Sequence, residues 1–226
     1  MPAVLITGAN RGIGLEFARQ YAAEGWRVFA TCREPEAAGE LRAVAGEISL
    51  HRLDVTDAGQ IAALAEELAG EAVDLLINNA GVSGRGGSDF GRIDYGVWEE
   101  TLRVNALAPA RVTEAFAPHL ERGGGKRVVA ISSRLGSISE MSGGYLIYGT
   151  SKAALNATMK TLAADLRGRG IVAAVLHPGW VATDMGGAGA PTSAEASVAA
   201  MRAVIAGLGP SDSGRFFDYG GGEIPW

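Results

Sequence analysis

Six short apolar runs recur along the chain, separated by longer segments in which apolar residues return at helical intervals. Continuous apolar runs of this length are typical of parallel strands buried on both faces, whereas half-exposed strands alternate apolar and polar residues. The pattern therefore predicts buried parallel strands. The runs are Ala3–Thr7, Arg27–Cys32, Ile48–Asp54, Val73–Asn78, Arg127–Ser133 and Ile171–His177.

The intervening segments with helical spacing are Gly12–Glu24, Asp57–Ala69, Val97–Leu120 and Tyr148–Arg167. Pro109 interrupts the third segment, and proline removes a backbone donor and clashes with the preceding turn, so we expect two helices or one kinked helix there. Alternation of strand and helix predicts an α/β fold, a doubly wound Rossmann fold with a central parallel sheet of about seven strands flanked by helices.

The length and composition bound the number of domains. With 226 residues, 47% of them hydrophobic, the chain is long enough to bury a substantial core and short enough for one unit, so we expect a single dinucleotide-binding catalytic domain over residues 1–226. Two glycine-rich stretches, Gly84–Gly91 and Met185–Thr192, are expected to be mobile loops. The second is a candidate lid.

Charge and cysteine content exclude several classes of protein. The net charge is −5 and no run of Lys or Arg occurs, which argues against nucleic acid or an anionic membrane as a partner. A lone cysteine, Cys32, excludes an internal disulfide, and no segment reaches the roughly 18 apolar residues of a membrane span, so we expect a cytoplasmic protein. His51, His119 and His177 lack metal-ligand spacing, and we assign no metal.

Polar and glycine residues end or directly follow every predicted strand. In a parallel α/β sheet, ligands bind beyond the carboxyl ends of the strands, whereas chance would place about half of such residues at the opposite edge. The arrangement therefore indicates a ligand site. In chain order the residues are Gly8, Arg33, Asp54, Asn78-Asn79-Ala80-Gly81, Ser133 and Pro178-Gly179.

The first of these features is a glycine-rich turn between a strand and a helix. Gly8, Gly12 and Gly14 would let the backbone approach a pyrophosphate, whose charge then meets the positive end of the helix that begins near Gly12. An ordinary tight turn is the alternative, and the position directly after the first strand favours a dinucleotide.

The residue after the second strand bears on the choice of cofactor. A carboxylate there would favour NAD, but the chain has Arg33, whose guanidinium can bind a 2′-phosphate, and Arg11 in the glycine turn adds a second positive charge. NADP(H) is therefore the expected cofactor. Two solvated surface arginines are the alternative interpretation.

Tyr148 and Lys152 are four residues apart on a predicted helix, so their side chains share one face. A nearby ammonium stabilises a phenolate and brings the tyrosine pKa towards the working pH of acid–base catalysis. Lys152 would also hold the nicotinamide ribose. Ser133 could donate to a carbonyl oxygen as negative charge develops there, although a strand-end cap is the alternative role.

Taken together, these motifs resemble the short-chain dehydrogenase/reductase family over essentially the whole chain. The matching residues are Thr7-Gly8-x-x-x-Gly12-x-Gly14, Asn78-Asn79-Ala80-Gly81, Asn105, Ser133, Tyr148-x-x-x-Lys152 and Pro178-Gly179-x-x-x-Thr183. The resemblance implies a catalytic tetrad of Asn105, Ser133, Tyr148 and Lys152, in which Asn105 helps to hold a water and Lys152 serves a proton relay. It also implies pro-S hydride transfer from NADPH to an aldehyde or ketone.

By the same resemblance, the cofactor would be bound from all the strand ends. The implied contacts are Gly8, Asn10, Arg11, Gly12, Ile13, Gly14, Arg33, Asp54, Val55, Asn79, Ala80, Gly81, Tyr148, Lys152, Pro178, Gly179, Val181 and Thr183.

Within the family, the chain is similar to the C-factor and sniffer-like carbonyl reductases, as judged from Ala30-Thr31-Cys32-Arg33, the stretch Ser132–Ile138 and the ending Ile224-Pro225-Trp226. Ser133 precedes Tyr148 by 15 positions, a longer interval than in most of the family, and this subgroup shares the longer loop. Ser132 remains an alternative catalytic serine, although alternation along a strand points the two side chains to opposite faces.

The substrate pocket should be rimmed by Met141, Tyr145, Trp180 and Met185, which suggests an apolar substrate. By resemblance, the helices of Val97–Leu120 and Tyr148–Arg167 form the interface of a homodimer or homotetramer, while Trp226 could equally pack on its own domain.

Three rival functions are weaker. An NADP-binding regulatory or cell-signalling protein with vestigial catalysis is opposed by the intact tetrad. An epimerase or dehydratase would usually need a larger C-terminal substrate domain. A serine hydrolase would need a Gly-x-Ser-x-Gly motif, which the chain lacks.

Overall fold

The computed structural model describes residues 1–84 and 88–226 and contains a seven-stranded sheet. The strand order is β3-β2-β1-β4-β5-β6-β7, and every neighbouring pair is parallel, so the doubly wound Rossmann fold expected from the sequence is confirmed. The strands are β1 (Ala3–Ile6), β2 (Arg27–Cys32), β3 (Ile48–Arg52), β4 (Leu75–Asn78), β5 (Arg127–Ile131), β6 (Val172–His177) and β7 (Phe216–Asp218).

Seven helices flank the sheet in the described part of the chain. They are α1 (Gly12–Ala23), α2 (Gly39–Arg42), α3 (Ala58–Glu67), α4 (Tyr95–Leu102), α5 (Ala108–Arg122), α6 (Leu146–Leu166) and α7 (Ala194–Gly207).

The sheet buries side chains on both of its faces, which explains the continuous apolar runs. Successive strand residues belong to opposite cores, as Leu76 and Ile77 of β4 show. One core includes Phe116 of α5 and Leu155 of α6, and the other includes Phe17 of α1 and residues of α7. Alternation of polar residues along these strands would therefore have left one core unfilled.

Three strands end earlier than the apolar pattern predicts: β1 by one residue, and β3 and β5 by two residues each. Strand β3 ends at Arg52 and β5 at Ile131, so Asp54 and Ser133 lie in the loops just beyond the sheet instead of within it. Both backbones leave the ladder there, and both side chains stand at the carboxyl edge. The apolar pattern predicted no position for the seventh strand, β7, which is only three residues long.

The region around Pro109 contains two helices, one of the two outcomes expected. A π-helical turn, Arg103–Leu107, separates α4 from α5, and Pro109 lies in the first turn of α5. Proline is tolerated in the first turn because the backbone donor that it lacks has no intrahelical partner there. The wide turn itself holds Asn105, and such turns often occur at functional sites.

The expected mobile loop Gly84–Gly91 includes residues 85–87, which lie outside the described residues. Among the helices that are described, none has the length and apolar character needed to cross a bilayer.

Candidate active site

The glycine-rich turn joins β1 to α1 at the carboxyl edge of the sheet. Gly8 has a φ of +66°, and a Cβ there would lie 3.0 Å from Cα of Ala80. The Asn79 side-chain amide donates to the backbone oxygens of Thr7 (2.9 Å) and Gly8 (3.0 Å). The end of β4 therefore fastens the turn in place, and the predicted contacts Asn79 and Ala80 lie against Gly8.

The amino end of α1 faces the cleft as an uncapped positive helix terminus. Arg11 occupies the N-cap position, its side chain makes no capping hydrogen bond, and the first turn has no acidic residue. Unpaired backbone N–H groups at such a terminus suit a diphosphate. Asn10 and Ile13 belong to the same turn, so this part of the site fits a dinucleotide.

Arg11 and Arg33 occupy different positions at this edge. Arg33 is exposed just after β2, and it helps to lower the pKa of Asp54, which is held down mainly by hydrogen bonds from Thr56. Arg11 instead pairs with Asp184 at 3.1 Å, in the loop after β6. Its guanidinium thus lies against a carboxylate of that loop, whereas Arg33 lies beside the end of β3 near Asp54.

The loop after β6 closes over the glycine turn from the other side. A Cβ at Gly12 would lie 3.4 Å from Cγ2 of Thr183, and Gly179 has a φ of +83°. Pro178 accepts a hydrogen bond from Ser197 of α7, and Val181 is buried and pairs with Thr192. At the opposite side, Val55 is buried after β3.

Tyr148 and Lys152 lie on one face of α6, as their spacing predicts. The Lys152 ammonium is buried, donates to the backbone oxygen of Ile131 at 2.9 Å and lies 5.7 Å from the centre of the Tyr148 ring. Gly81 adjoins them, since a Cβ there would lie 3.6 Å from Nζ of Lys152. The structure thus brings the phenol and the amine together beside the end of β4.

The electrostatics of this pair differ from the simple expectation. Burial raises the pKa of Tyr148 to about 12, with a side-chain hydrogen bond to Ser133 acting in the opposite direction. Burial also lowers the pKa of Lys152 to about 8. Loss of hydration is therefore the largest influence on the pKa of each group, and at neutral pH the tyrosine keeps its proton.

The two adjacent serines have separate environments. The Ser133 hydroxyl accepts from the backbone N–H of Leu135 at 3.2 Å and contacts Tyr148. Ser132 is buried and donates to Asn156 of α6 at 2.7 Å. Alternation along the chain therefore turns Ser133 towards the phenol and Ser132 towards the packing of α6.

Asn105 connects three elements around the tyrosine and lysine. Its amide nitrogen donates to Val82 O and to Ser151 Oγ, both at 2.9 Å, and its oxygen accepts from Val82 N at 2.9 Å. Ser151, which sequence reasoning missed, is buried and donates to the backbone oxygen of Tyr148 at 2.7 Å. Its position three residues after Tyr148, on a neighbouring line of the helix, was the available signal.

The expected substrate residues form two groups. Met141 and Tyr145 line a cavity of about 150 Å³ together with Leu135 and Gly149, and both are partly exposed. Trp180 and Met185 belong to the loop after β6. The Trp180 indole donates to the backbone oxygen of Gly186 at 2.9 Å and so ties the start of that loop to the expected lid.

The described residues were also searched for clusters of side chains that could bind a metal ion. Across residues 1–84 and 88–226, no group of three His, Cys, Asp or Glu side chains is arranged to hold a metal ion.

Known proteins similar to this chain were identified from a family model, from sequence relatives and from solved structures. A family model described as short chain dehydrogenase matches residues 2–193. The C-signal protein of Myxococcus xanthus is 50% identical over 155 residues, which cover 68% of this chain and 93% of that protein. Among solved structures, the carbonyl reductase Sniffer of D. melanogaster is 32% identical with a TM-score of 0.94, covering 100% of both chains.

A second solved structure, the NADPH-bound carbonyl reductase from chicken fatty liver, is 35% identical with a TM-score of 0.93 and covers 100% of this chain and 99% of its own.

The close approach inside the glycine turn generates a stability prediction. A Cβ at position 14 would overlap the backbone oxygen of Gly8 and the amide nitrogen of Asn79. We expect Gly14→Ala to lower the free energy of unfolding by about 2 kcal/mol, because the turn must shift to admit the methyl group. Urea unfolding followed by circular dichroism measures it.

Gly39→Ala is the matched control, since nothing lies within 4 Å of a Cβ at that helical position. It should leave stability unchanged or raise it slightly. Equal unfolding midpoints for Gly14→Ala and the unmutated protein would contradict the packing described for the turn.

Proposed function

This chain belongs to the short chain dehydrogenase family, and from that premise we propose that it interconverts an aldehyde or ketone and an alcohol with NADP(H), using Tyr148 as the general acid and base. The observation that carries the proposal is the contact of Tyr148 with Ser133 beside the buried Lys152. We also propose that residues 1–226 act as one catalytic domain.

NADPH, when bound, supplies the hydride. Tyr148, kept protonated by burial, donates its proton to the carbonyl oxygen, and the Ser133 hydroxyl polarises that oxygen as charge develops. Lys152 holds the nicotinamide ribose and supports proton return to the phenol. Asn105 fixes α6 against the end of β4 through Ser151 and Val82, which keeps the three groups in register.

The proposed cofactor contacts follow the strand ends. The amino end of α1 takes the pyrophosphate, Arg33 takes the 2′-phosphate, and Asp54 and Val55 flank the adenosine side. NADPH is the molecule bound in the chicken fatty liver reductase, which agrees with the expectation from Arg33. The wall formed by residues 178–183 closes the nicotinamide side.

The substrate proposed is a small apolar carbonyl compound. Met141 and Tyr145 line the cavity next to α6, and Trp180 and Met185 lie on the loop after β6. These side chains offer contact area and few charges. We propose a cytoplasmic enzyme without a nucleic-acid or membrane partner.

We also propose a homodimer or homotetramer built on α4, α5 and α6. Tyr95 on α4 and Leu107 beside α5 are large apolar side chains that are more than half exposed. Light scattering coupled to size-exclusion chromatography tests this, and a monomeric mass at micromolar concentration would contradict it.

Loss of the phenol tests the proposed reaction. Tyr148→Phe should lower the rate of NADPH oxidation by at least about 100-fold, because it removes the hydroxyl proposed to protonate the carbonyl oxygen, while NADPH still binds. The measurement is an NADPH-oxidation screen across aldehydes, ketones and quinones, with coenzyme binding followed by fluorescence. Tyr95→Phe, on the exposed face of α4, is the matched control and should retain full turnover.

The same variant separates the enzyme from an NADP-binding signalling protein, which the name of the Myxococcus relative favours as the second candidate. If Tyr148→Phe loses both turnover and the biological effect, the enzymatic proposal is supported. A retained effect with intact coenzyme binding would support the signalling function instead.

Arg33 generates a prediction about coenzyme preference. Arg33→Asp should reduce the ratio of NADPH to NADH efficiency by at least about tenfold, since a charge-assisted hydrogen bond to the 2′-phosphate is replaced by repulsion. Steady-state kinetics with both coenzymes measure it. Arg167→Asp, exposed at the opposite edge before β6, should leave the ratio unchanged. A clear NADH preference in the unmutated protein would refute the assignment.

A further inference from the structure

We propose that Trp226 is a positioning residue for the carbonyl subsite, acting through the loop of residues 134–145, here called the substrate loop. This inference rests on the proposed function, since it concerns the wall of the same site. Trp226 lies at the far end of the chain from the catalytic groups and would not be expected among them from spacing alone.

The substrate loop connects the two groups proposed to contact the carbonyl oxygen. It begins directly after Ser133 and ends at the start of α6, two residues before Tyr148. Met141 and Tyr145 of this loop line the cavity of about 150 Å³. Ser133 and Tyr148 do not line this cavity, so the loop acts on a bound carbonyl through the spacing of the two groups that it joins.

The middle of the substrate loop is hydrogen-bonded to the end of the chain. The Ser137 hydroxyl donates to the backbone oxygen of Pro225 at 2.6 Å, and the backbone N–H of Ser139 donates to the backbone oxygen of Trp226 at 3.0 Å. Ser137 is fully buried, so its hydroxyl bond is shielded from competing water. These two bonds flank Ile138 and fix the loop between Ser133 and Tyr148.

The Trp226 ring anchors that end of the chain to the core. The ring stacks on Phe216 of β7 with 5.7 Å between ring centres. Nζ of Lys160, on α6, lies 4.8 Å from the centre of the Trp226 ring. Ile224 is buried and its N–H donates to the backbone oxygen of Phe216 at 2.8 Å. The rigid sheet thus determines where the Pro225 and Trp226 oxygens stand, and through them the loop.

The two ends of the loop have other supports, which makes the effect of Trp226 selective. The Asn156 amide donates to the backbone oxygen of Gly136 at 3.0 Å near the start of the loop, and the Gly149 N–H donates to the backbone oxygen of Tyr145 at 2.7 Å at its end. Neither bond involves Trp226, and the glycine turn lies on the other side of β4. Removing the ring should therefore release the middle of the loop while the catalytic groups and the coenzyme site stay in place.

The test compares Trp226→Ala with Trp226→Phe. In the alanine variant we expect KM for the carbonyl substrate to rise about tenfold and the NADPH dissociation constant to change less than about twofold, since a displaced wall loosens substrate positioning alone. Backbone amides of residues 137–141 should exchange with deuterium faster. The phenylalanine variant keeps an aromatic ring against Phe216 and should recover most of both effects.

Trp26→Ala is the matched control. Its ring packs against Tyr21 with 4.8 Å between ring centres, and it precedes β2 at the opposite edge of the sheet. This variant should lose stability through the same loss of aromatic contact while KM and exchange in the substrate loop remain unchanged.

Two results would overturn the inference: unchanged KM and loop exchange in Trp226→Ala, or an equal rise in the NADPH dissociation constant. If Trp226→Ala does not fold, Ser137→Ala decides, because it removes the bond to Pro225 and the neighbouring bond between the Ser137 and Ser139 hydroxyls but leaves the Trp226 ring in place. Unchanged KM and exchange in that variant also overturn the inference. Hydrogen exchange needs no turnover. An unmutated protein inactive on every carbonyl would therefore count against the proposed function, while loop exchange would still decide the role of Trp226.

Discussion

The hydrogen bond from the Lys152 ammonium to the backbone oxygen of Ile131 is the contact on which the site depends. It joins α6 to the carboxyl end of β5 at 2.9 Å, inside the protein. A buried ammonium is costly without polar partners, and β5 lies between β4 and β6, so its last carbonyl is held firmly. Tyr148 lies one helical turn before Lys152, and Ser133 lies two residues after Ile131. The bond between Lys152 and Ile131 therefore determines how Tyr148 is placed relative to Ser133.

Burial acts on both ionisable groups in the direction of neutrality. It raises the pKa of Tyr148 to about 12 and lowers that of Lys152 to about 8. The consequence is a phenol that retains a proton to donate and an amine that exchanges its proton near physiological pH. This division suits carbonyl reduction, in which one group must hold a proton until hydride transfer and another must help to return it.

The fold was readable from the sequence because the sheet is buried on both faces and its strands carry continuous apolar runs. Strand β7 was not predicted because three residues show no periodicity. Helix α7 was not predicted either, and the segment just before it, Met185–Thr192, is rich in glycine. The glycine turn and the Tyr148–Lys152 pair could be predicted because each is local. By contrast, spacing along the chain does not predict hydrogen bonds between residues that are distant in sequence. The bonds of Asn105 to Val82 and Ser151 are of this kind and depend also on the π-helical turn that holds Asn105. The bond of Ser137 to Pro225 is another example.

The pH dependence of carbonyl reduction tests the role of the buried amine most directly. We predict that kcat/KM for NADPH, measured at saturating carbonyl from about pH 6.5 to about pH 10, falls up to about tenfold per pH unit above the Lys152 pKa, because the ammonium is then lost while Tyr148 keeps its proton. With the pKa of Lys152 at about 8, the fall begins there. In Lys152→Arg the remaining activity should lose this decline, since a guanidinium stays charged throughout. A flat profile in the unmutated protein, or the same decline in the arginine variant, would contradict the account.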